Sequence, residues 1–195
     1  MPGRRTTHSD SRLPATLDAA ARLFRARGYE GVSMRDIARE VGMASGSLYC
    51  HFETKDELLT AVYLKGVEQI SAAVRSALGA GSDPWRRLEA ACAAHLESIL
   101  RDDDYAQVVV RVRPGDAASV GSRLVELRNS YEGLFAELVD ALPVPPRTDR
   151  SLLRLMLIGA MNTAPTWYRE GGRATPRVIA RRFVGLLRNS LDAGA

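Results

Sequence analysis

Cysteine and long hydrophobic runs are both scarce in this chain of 195 residues, and each scarcity excludes a class of protein. The two cysteines, Cys50 and Cys92, fall on separate predicted helices and form neither a disulfide framework nor a zinc-ligand spacing. The chain has no apolar run of about eighteen residues, and no apolar segment follows its basic start as in a signal peptide. We expect a cytoplasmic protein that holds no metal ion or other cofactor and enters no membrane.

Strand-forming patterns and common enzyme signatures are also missing. Ala, Leu and Arg dominate, and alternating runs of Val, Ile, Thr and aromatic residues do not occur, which predicts an all-α fold. The chain has no G-x-S-x-G, H-E-x-x-H, P-loop or G-x-G-x-x-G motif, so we do not expect an enzyme. A small helical enzyme that uses His95 with the acidic residues at 102–104 is the alternative.

The excess of positive charge is small and lies toward the start of the chain. The formal net charge is +4, and residues 1–55 carry nine Lys or Arg against six Asp or Glu. Nonspecific DNA packaging would require a much larger basic excess. Residues 1–12 have almost no apolar side chains and are predicted to form a disordered basic arm.

Capping residues and glycines divide the chain into about nine predicted helices, with no internal repeat. The first helix is predicted to end near Gly28, because glycine readily adopts the left-handed conformation of a C-cap. Ser33 with Asp36, and Thr54 with Glu57, have capping-box spacing and start the second and fourth helices. Later helices are predicted at roughly 84–102, 105–112, 117–142, 149–168 and 175–192.

The second and third predicted helices, joined through Gly42, have the pattern of a helix-turn-helix. Leu48 and Phe52 lie four residues apart and share an inner face. Gly46 and Ser47 leave the outer face small, so that its backbone can approach a major groove about 12 Å wide. The pattern favours DNA binding, although short helical hairpins with a glycine turn also occur as structural corners.

The segment TLDAAARLFRARGYEGVSMRDIAREVGMASGSLYCHFETKDELLTAV resembles the N-terminal domain of TetR-type repressors. The match covers about residues 13–62 and brings three helix faces, two glycine turns and the Leu-Tyr-x-His-Phe core into register. Two positions depart from the common pattern. Ala44 stands where Ser or Thr often caps the recognition helix, and Cys50 replaces a frequent His, Tyr or Trp, which bears on base preference.

This resemblance implies which residues contact DNA. Five positions match the family's groove-facing residues, Arg35 matches an occasional base or phosphate reader, and the others match positions that contact phosphates or cap a helix beside one. For Lys55 the alternative is a merely solvated side chain, and for Tyr49 it is a ring half-buried against the fourth helix. The implied DNA-binding residues are Ser33, Arg35, Ser45, Gly46, Ser47, Tyr49, Cys50, His51 and Lys55.

The resemblance also implies a helix-turn-helix domain at 13–58 and a ligand-binding and dimerisation domain at 59–195. An effector pocket is expected among helices five to eight, although ordinary core packing is the alternative for each lining residue. His95 and Asn162 are the most suggestive, because a polar group on a buried helix face needs a partner that a ligand could supply. The expected lining residues are Trp85, Cys92, His95, Leu96, Ile99, Tyr105, Val109, Tyr131, Phe135, Met161, Asn162 and Trp167.

Two stripes near the end of the chain predict a homodimer. Small residues at the centre of the first stripe would permit close approach of a partner helix. The alternative is that both stripes pack only within their own chain. The predicted interface residues are Leu152, Leu155, Met156, Gly159, Ala160, Thr163, Val178, Arg182, Leu186 and Ser190.

These features together predict a ligand-responsive transcriptional repressor. A dimer would read two half-sites of a palindromic double-stranded operator, roughly 34 to 36 Å apart or a multiple of that spacing. The mostly aromatic and aliphatic pocket residues predict a small apolar or amphipathic effector, for example a lipid-like or acyl-CoA-like molecule. The segment WYREGG at 167–172 resembles TetR-type regulators of lipid and sterol catabolism.

Overall fold

Helical segments account for most of the chain in a computed structural model, which describes residues 12–79, 81, 83–117 and 119–192. The predicted basic arm therefore lies outside the described residues except at its last position. Within the described ranges there are ten α-helical segments and no strand. They are α1 (Leu13–Arg27), α2 (Met34–Glu40), α3 (Ser45–Tyr49), α4 (Lys55–Ala77), α5 (Pro84–Leu100), α6 (Asp104–Arg111), α7 (Gly121–Asp140), α8 (Arg150–Asn162), α9 (Ala164–Trp167) and α10 (Pro176–Asp192).

The capping residues set the first helix boundaries as predicted. Gly28 adopts a positive φ of 71° and donates its backbone N–H to the carbonyl of Phe24, which ends α1. The Ser33 hydroxyl accepts from the backbone N–H of Asp36, whose carboxylate accepts from the N–H of Ser33. Both predictions are confirmed.

The prediction of one helix over 149–168 is wrong, because the helix is interrupted at Thr163. Pro165 has no N–H to donate to the preceding turn and its ring crowds that turn, so a continuous helix is disfavoured there. The chain bends into the short α9 instead. The predicted helix over 117–142 also begins later, at Gly121, after a 3-10 turn at Pro114–Ala117.

The described residues form two compact units. The first comprises the chain up to Val67 together with Asp104–Leu127, and within it α1 packs against α2 and α6, and α2 against α3. Its fully buried side chains include Phe24, Ile37, Leu48, Leu58, Leu59 and Tyr63.

The second unit comprises Glu68–Asp103 and the residues from Arg128 onward. Within it α5 packs along α10 and also contacts α8 and α9. Leu88, Leu96, Ile99, Phe135 and Met161 are among its core residues. No helix in the described ranges is long and apolar enough to cross a membrane.

Candidate nucleic-acid interface and candidate ligand site

The turn between α2 and α3 places a short helix at the surface of the first unit. Gly42 adopts a φ of 63°, a conformation that side chains other than glycine rarely reach. The next residue, Met43, donates its N–H to the carbonyl of Ala38, which closes the turn. Helix α3 begins at Ser45 without a side-chain cap, in agreement with the expected effect of Ala44.

Helix α3 has one buried face and one open face. Leu48 is fully buried, whereas Gly46, Ser47 and Cys50 are exposed and the Tyr49 side chain is 48% exposed. A Cβ atom added at Gly46 would meet no atom within 4 Å beyond the adjoining α3 backbone, so no other part of the described chain covers this position. The outer face is therefore narrow, polar and accessible, as insertion into a major groove requires.

The residues predicted to lie at or near phosphates flank this face, and they differ in exposure and in hydrogen bonding. Ser33 and Arg35 are exposed at the start of α2, and His51 is half-buried after α3. The Ser33 hydroxyl is engaged by Asp36, and that hydrogen bond is the main reason why the pKa of Asp36 is lowered. Ser45 is half-buried at the first position of α3.

Lys55 is anchored within the first unit, so the merely solvated alternative is wrong. Its ammonium donates to the backbone carbonyl of Tyr29 over 3.0 Å and lies 3.9 Å from the centre of the Tyr29 ring. The Tyr29 hydroxyl in turn donates to the carboxylate of Asp56. Because an ammonium has three N–H donors, this anchoring leaves donors for a phosphate while restricting where Lys55 can reach.

A polar cluster that the sequence did not suggest links α1 to α6 and α4. Tyr105, which we expected to line an effector pocket, donates its hydroxyl to Asp18 over 2.6 Å and accepts from the Lys65 ammonium over 2.8 Å. The hydrogen bond from Tyr105 is the largest cause of the lowered pKa of Asp18. Nearby, Arg25 pairs with Asp104 over 2.9 Å. Tyr105 and Val109 thus belong to the unit that contains the helix-turn-helix.

Gly66 explains how α4 approaches α6 in this cluster. A Cβ atom at this position would lie 2.7 Å from the carbonyl oxygen of Tyr105 and 2.7 Å from a methyl carbon of Val109. Such distances are well inside van der Waals contact, so only glycine fits without a shift. A lone glycine inside a strong helical pattern was the sequence signal for this close approach.

In the second unit, the buried imidazole of His95 lies between two polar partners. Its Nδ1 is 2.5 Å from the Tyr131 hydroxyl and its Nε2 is 3.1 Å from the side-chain oxygen of Asn162. Because an amide oxygen can only accept, Nε2 carries the hydrogen and Nδ1 accepts from Tyr131. Burial lowers the pKa of His95 to about 4, which keeps the ring neutral.

Aromatic rings and a buried thiol complete this cluster. The Phe135 ring meets His95 edge-on, with centroids 5.9 Å apart, and meets Tyr131 at 5.7 Å. Burial raises the pKa of both Tyr131 and the Cys92 thiol, so both groups stay protonated at neutral pH. The cluster is therefore uncharged, with hydrogen bonds instead of ions inside an apolar core.

The structure corrects the reasoning for His95 and Asn162. We expected each to need a ligand as partner, whereas they bond to one another, and the Asn162 side chain is exposed rather than buried. Trp167 is also exposed and lies near Phe183. The other expected lining residues of this unit are buried, namely Trp85, Cys92, Leu96, Ile99, Tyr131, Phe135 and Met161. Two cavities of this unit, of about 530 and 230 Å³, are lined by none of the twelve expected residues.

The predicted dimer stripes are open on the surface of this unit. Leu152, at 63% exposed, begins a row on α8 that continues through exposed Leu155, Met156, Gly159, Ala160 and Thr163. On α10, Leu186 is 69% exposed, Arg182 and Ser190 are exposed and Val178 is half-buried. The alternative that both stripes are covered within their own chain is wrong. Large apolar side chains in such a row are typical of an interaction surface.

The open face of α3 behind a glycine turn defines a helix-turn-helix DNA-binding protein, and family models extend this result to most of the chain. The model for bacterial regulatory proteins of the tetR family matches residues 17–62. A second model, for the tetracyclin repressor-like C-terminal domain, matches residues 81–191. The chain belongs to the TetR family of bacterial regulatory proteins.

Several relatives share nearly the full length of the chain. The HTH-type transcriptional repressor KstR2 of Rhodococcus jostii is 28% identical over 97% of this chain and 96% of its own. AibR, solved in complex with isovaleryl coenzyme A and operator DNA, is 25% identical with a TM-score of 0.75, covering 90% of this chain and 97% of AibR. The superantigen PfiT has the same TM-score at 28% identity, covering 94% of this chain and 97% of PfiT.

Proposed function

We propose that this protein is a ligand-responsive transcriptional repressor that binds a palindromic operator as a homodimer in the cytoplasm. The observation that carries the proposal is the unobstructed outer face of α3 at Gly46, beside exposed Ser47, Tyr49 and Cys50. These residues would read base edges, while Ser33, Arg35, His51 and Lys55 would contact or approach phosphates. Ser45 would contribute from the first position of α3.

Dimerisation is supported by the open apolar row on α8 and by the mixed row on α10, in which Leu186 is exposed. A single helix-turn-helix buries little surface on DNA, whereas a two-fold pair binds two half-sites at once. Small Gly159 and Ala160 would let a partner helix approach the α8 row closely. In this proposal, residues 13–58 form the DNA-binding domain and residues 59–195 bind the effector and the partner chain.

The effector is proposed to be small and apolar or amphipathic, with a site around the neutral cluster of His95, Tyr131 and Phe135. Support comes from the buried, neutral and aromatic character of this cluster and from AibR, whose complex contains isovaleryl coenzyme A. Binding would require the side chains of this cluster to move apart, or His95 to exchange a hydrogen bond with Tyr131 or Asn162 for one with the effector. An effector that binds one state of the protein more tightly than another lowers operator affinity by that difference.

The enzyme alternative has little structural support. Both ring nitrogens of His95 are engaged by Tyr131 and Asn162, and Asp104 is paired with Arg25. A general base needs a free proton-accepting atom near a substrate, and a general acid needs a proton that it can deliver there. The regulator proposal is therefore the one that the geometry favours.

Fluorescence anisotropy with promoter DNA from the protein's own operon tests the proposal. At fixed salt, we expect this DNA to bind at least about a thousandfold more tightly than a scrambled duplex. Leu155→Glu, in the exposed row on α8, should sediment as a monomer and lose operator binding. The control Arg123→Glu, at an exposed position on α7, should remain a dimer and bind the operator. Equal affinity for both DNAs, or a monomeric wild-type protein that still binds the operator tightly, would contradict it.

A further inference from the structure

A small cavity lies where the end of α4, the start of α5 and the second half of α7 meet. Its volume is about 230 Å³, and all of its lining residues belong to the second unit. None of them belongs to the His95 cluster. The lining residues are Arg75, Leu78, Pro84, Arg87, Leu134, Glu137, Leu138 and Ala141.

One guanidinium nitrogen in this cavity wall has no partner. The Nε atom of Arg87 is buried and forms no hydrogen bond, and among the described residues it is the one buried side-chain nitrogen or oxygen in that condition. Buried polar groups are nearly always hydrogen-bonded, because an unpaired one forfeits its interaction with water. Arg87 lines the cavity, and its buried Nε donor lacks an acceptor within the described part of the chain.

The charges around the cavity also favour an anion. Arg75 supplies a second guanidinium, and Glu137 is the only carboxylate in the lining. Within the described part of the chain, no ion pair joins Glu137 to either arginine, and Glu137 is exposed. The two arginines and one glutamate therefore give the wall a net charge of +1, and the buried donor belongs to one of the two arginines.

We propose that this cavity binds a short aliphatic carboxylate. After the Arg87 side chain turns its buried Nε toward the cavity, the carboxylate would accept from Nε and a neighbouring guanidinium N–H in the bidentate geometry that arginine provides. Leu78, Leu134 and Leu138 would cover the aliphatic body, which an inorganic anion would leave uncovered. The volume is below the roughly 300 to 1,000 Å³ of sites for drug-sized ligands, which limits the chain length. This site goes beyond the proposed function, because it shares no residue with the proposed effector site or the DNA-binding face.

Binding can be measured on the full chain without DNA, so its failure would leave the proposed function untouched. Isothermal titration calorimetry with sodium hexanoate should show saturable binding. Hexanol tests the apolar contacts alone, and inorganic phosphate tests the charge alone. We expect each to bind at least about tenfold more weakly than hexanoate, since hexanol lacks the charge-assisted hydrogen bonds and phosphate lacks the apolar body. Equal binding of hexanol or phosphate would overturn the proposal, as would no hexanoate binding.

Three variants assign the binding to this cavity. Arg87→Met keeps the aliphatic stem and removes the donor, so it should weaken hexanoate binding about ten- to a hundredfold. Arg86→Met changes the exposed neighbour on the same helix and should have no effect. Ala141→Trp places a large ring at an exposed lining position, so it should block binding even if Arg87→Met does not fold. Unchanged binding in Ala141→Trp, or in a folded Arg87→Met, would contradict the assignment.

Discussion

The hydrogen bond from His95 Nε2 to the side-chain oxygen of Asn162 joins a fully buried ring to an exposed residue on α8. Asn162 follows Leu155 by seven residues, or two helical turns, and so lies on the same side of the helix as the exposed apolar row. The hydrogen bond therefore connects the interior of the second unit with the surface proposed to form the dimer.

Asn162→Ala should destabilise the protein although the residue is exposed. The substitution leaves the buried N–H of His95 without its acceptor, and we expect a loss of about 1 to 3 kcal/mol in the free energy of unfolding. Urea denaturation measures this loss. Thr166→Ala, which removes an exposed hydroxyl bonded only to the local backbone, is the control and should change stability by much less. Equal effects of the two variants would refute the structural role of Asn162.

The neutral state of His95 predicts a specific pH dependence of stability. Its pKa is about 4 in the folded protein against 6.5 for an ordinary histidine, so the unfolded chain binds the extra proton first as the pH falls. Stability should therefore decline as the pH falls from about 6.5 to about 4, by roughly 3 kcal/mol from this group, and this contribution should level off below pH 4.

Comparison of the wild type with His95→Gln isolates the contribution of His95 to this pH dependence. Chemical denaturation between pH 4 and pH 7 should give a flatter stability curve for the variant. All other ionisable groups are common to the two proteins, so only the difference is assigned to His95. Parallel curves for the two proteins would show that the ring is not held neutral in the fold.

Two glycines on different helices should respond in opposite ways to alanine. Gly66→Ala should destabilise the protein by about 1 to 3 kcal/mol, because the new methyl group would meet the carbonyl oxygen of Tyr105 at 2.7 Å. Gly133→Ala on α7 has open space around it and should be neutral or slightly stabilising, since alanine favours a helix. Thermal unfolding of both variants provides the comparison, and a stable Gly66→Ala protein would contradict the close approach of α4 and α6.

Tyr49 and Lys55 should differ in how they affect DNA binding. Tyr49→Ala should cost about 1 to 3 kcal/mol on the operator and little on a scrambled duplex, because its half-exposed ring lies beside the α3 face that we propose enters the groove. Lys55→Ala should weaken binding to both DNAs and lower the salt slope by about one per protomer. Anisotropy titrations over a range of salt concentrations separate the two patterns. Equal losses on both DNAs for Tyr49→Ala would give it a structural role instead.

Local signals in the sequence predicted the first helices well and the long-range contacts poorly. The boundaries at Gly28 and Ser33 follow from cap chemistry confined to a few neighbouring residues, so they could be read directly. The anchoring of Lys55 on Tyr29 joins residues 26 positions apart, and no local pattern specifies such a contact.

The contacts of the candidate ligand site also join residues that are far apart in the sequence. Burial of His95 was predictable from the apolar spacing of its helix, but its partners Tyr131 and Asn162 lie 36 and 67 residues away. Single-sequence reasoning therefore identified a polar group that needed a partner and assigned that partner to a ligand. The break at Thr163 does have a local signal in the sequence. Pro165 disfavours the single helix predicted over 149–168, because its ring crowds the preceding turn.

Substitution of Gly46 by leucine tests whether the outer face of α3 enters a major groove, because among the described residues no atom beyond the adjoining α3 backbone lies within 4 Å of the added Cβ atom. Gly46→Leu should fold with unchanged or slightly raised thermal stability, since glycine disfavours a helix. Its branched side chain would fill the space that a major groove must occupy, so we expect operator affinity to fall at least a hundredfold. A stable Gly46→Leu protein that binds the operator as tightly as the wild type would show that the outer face of α3 does not enter the groove.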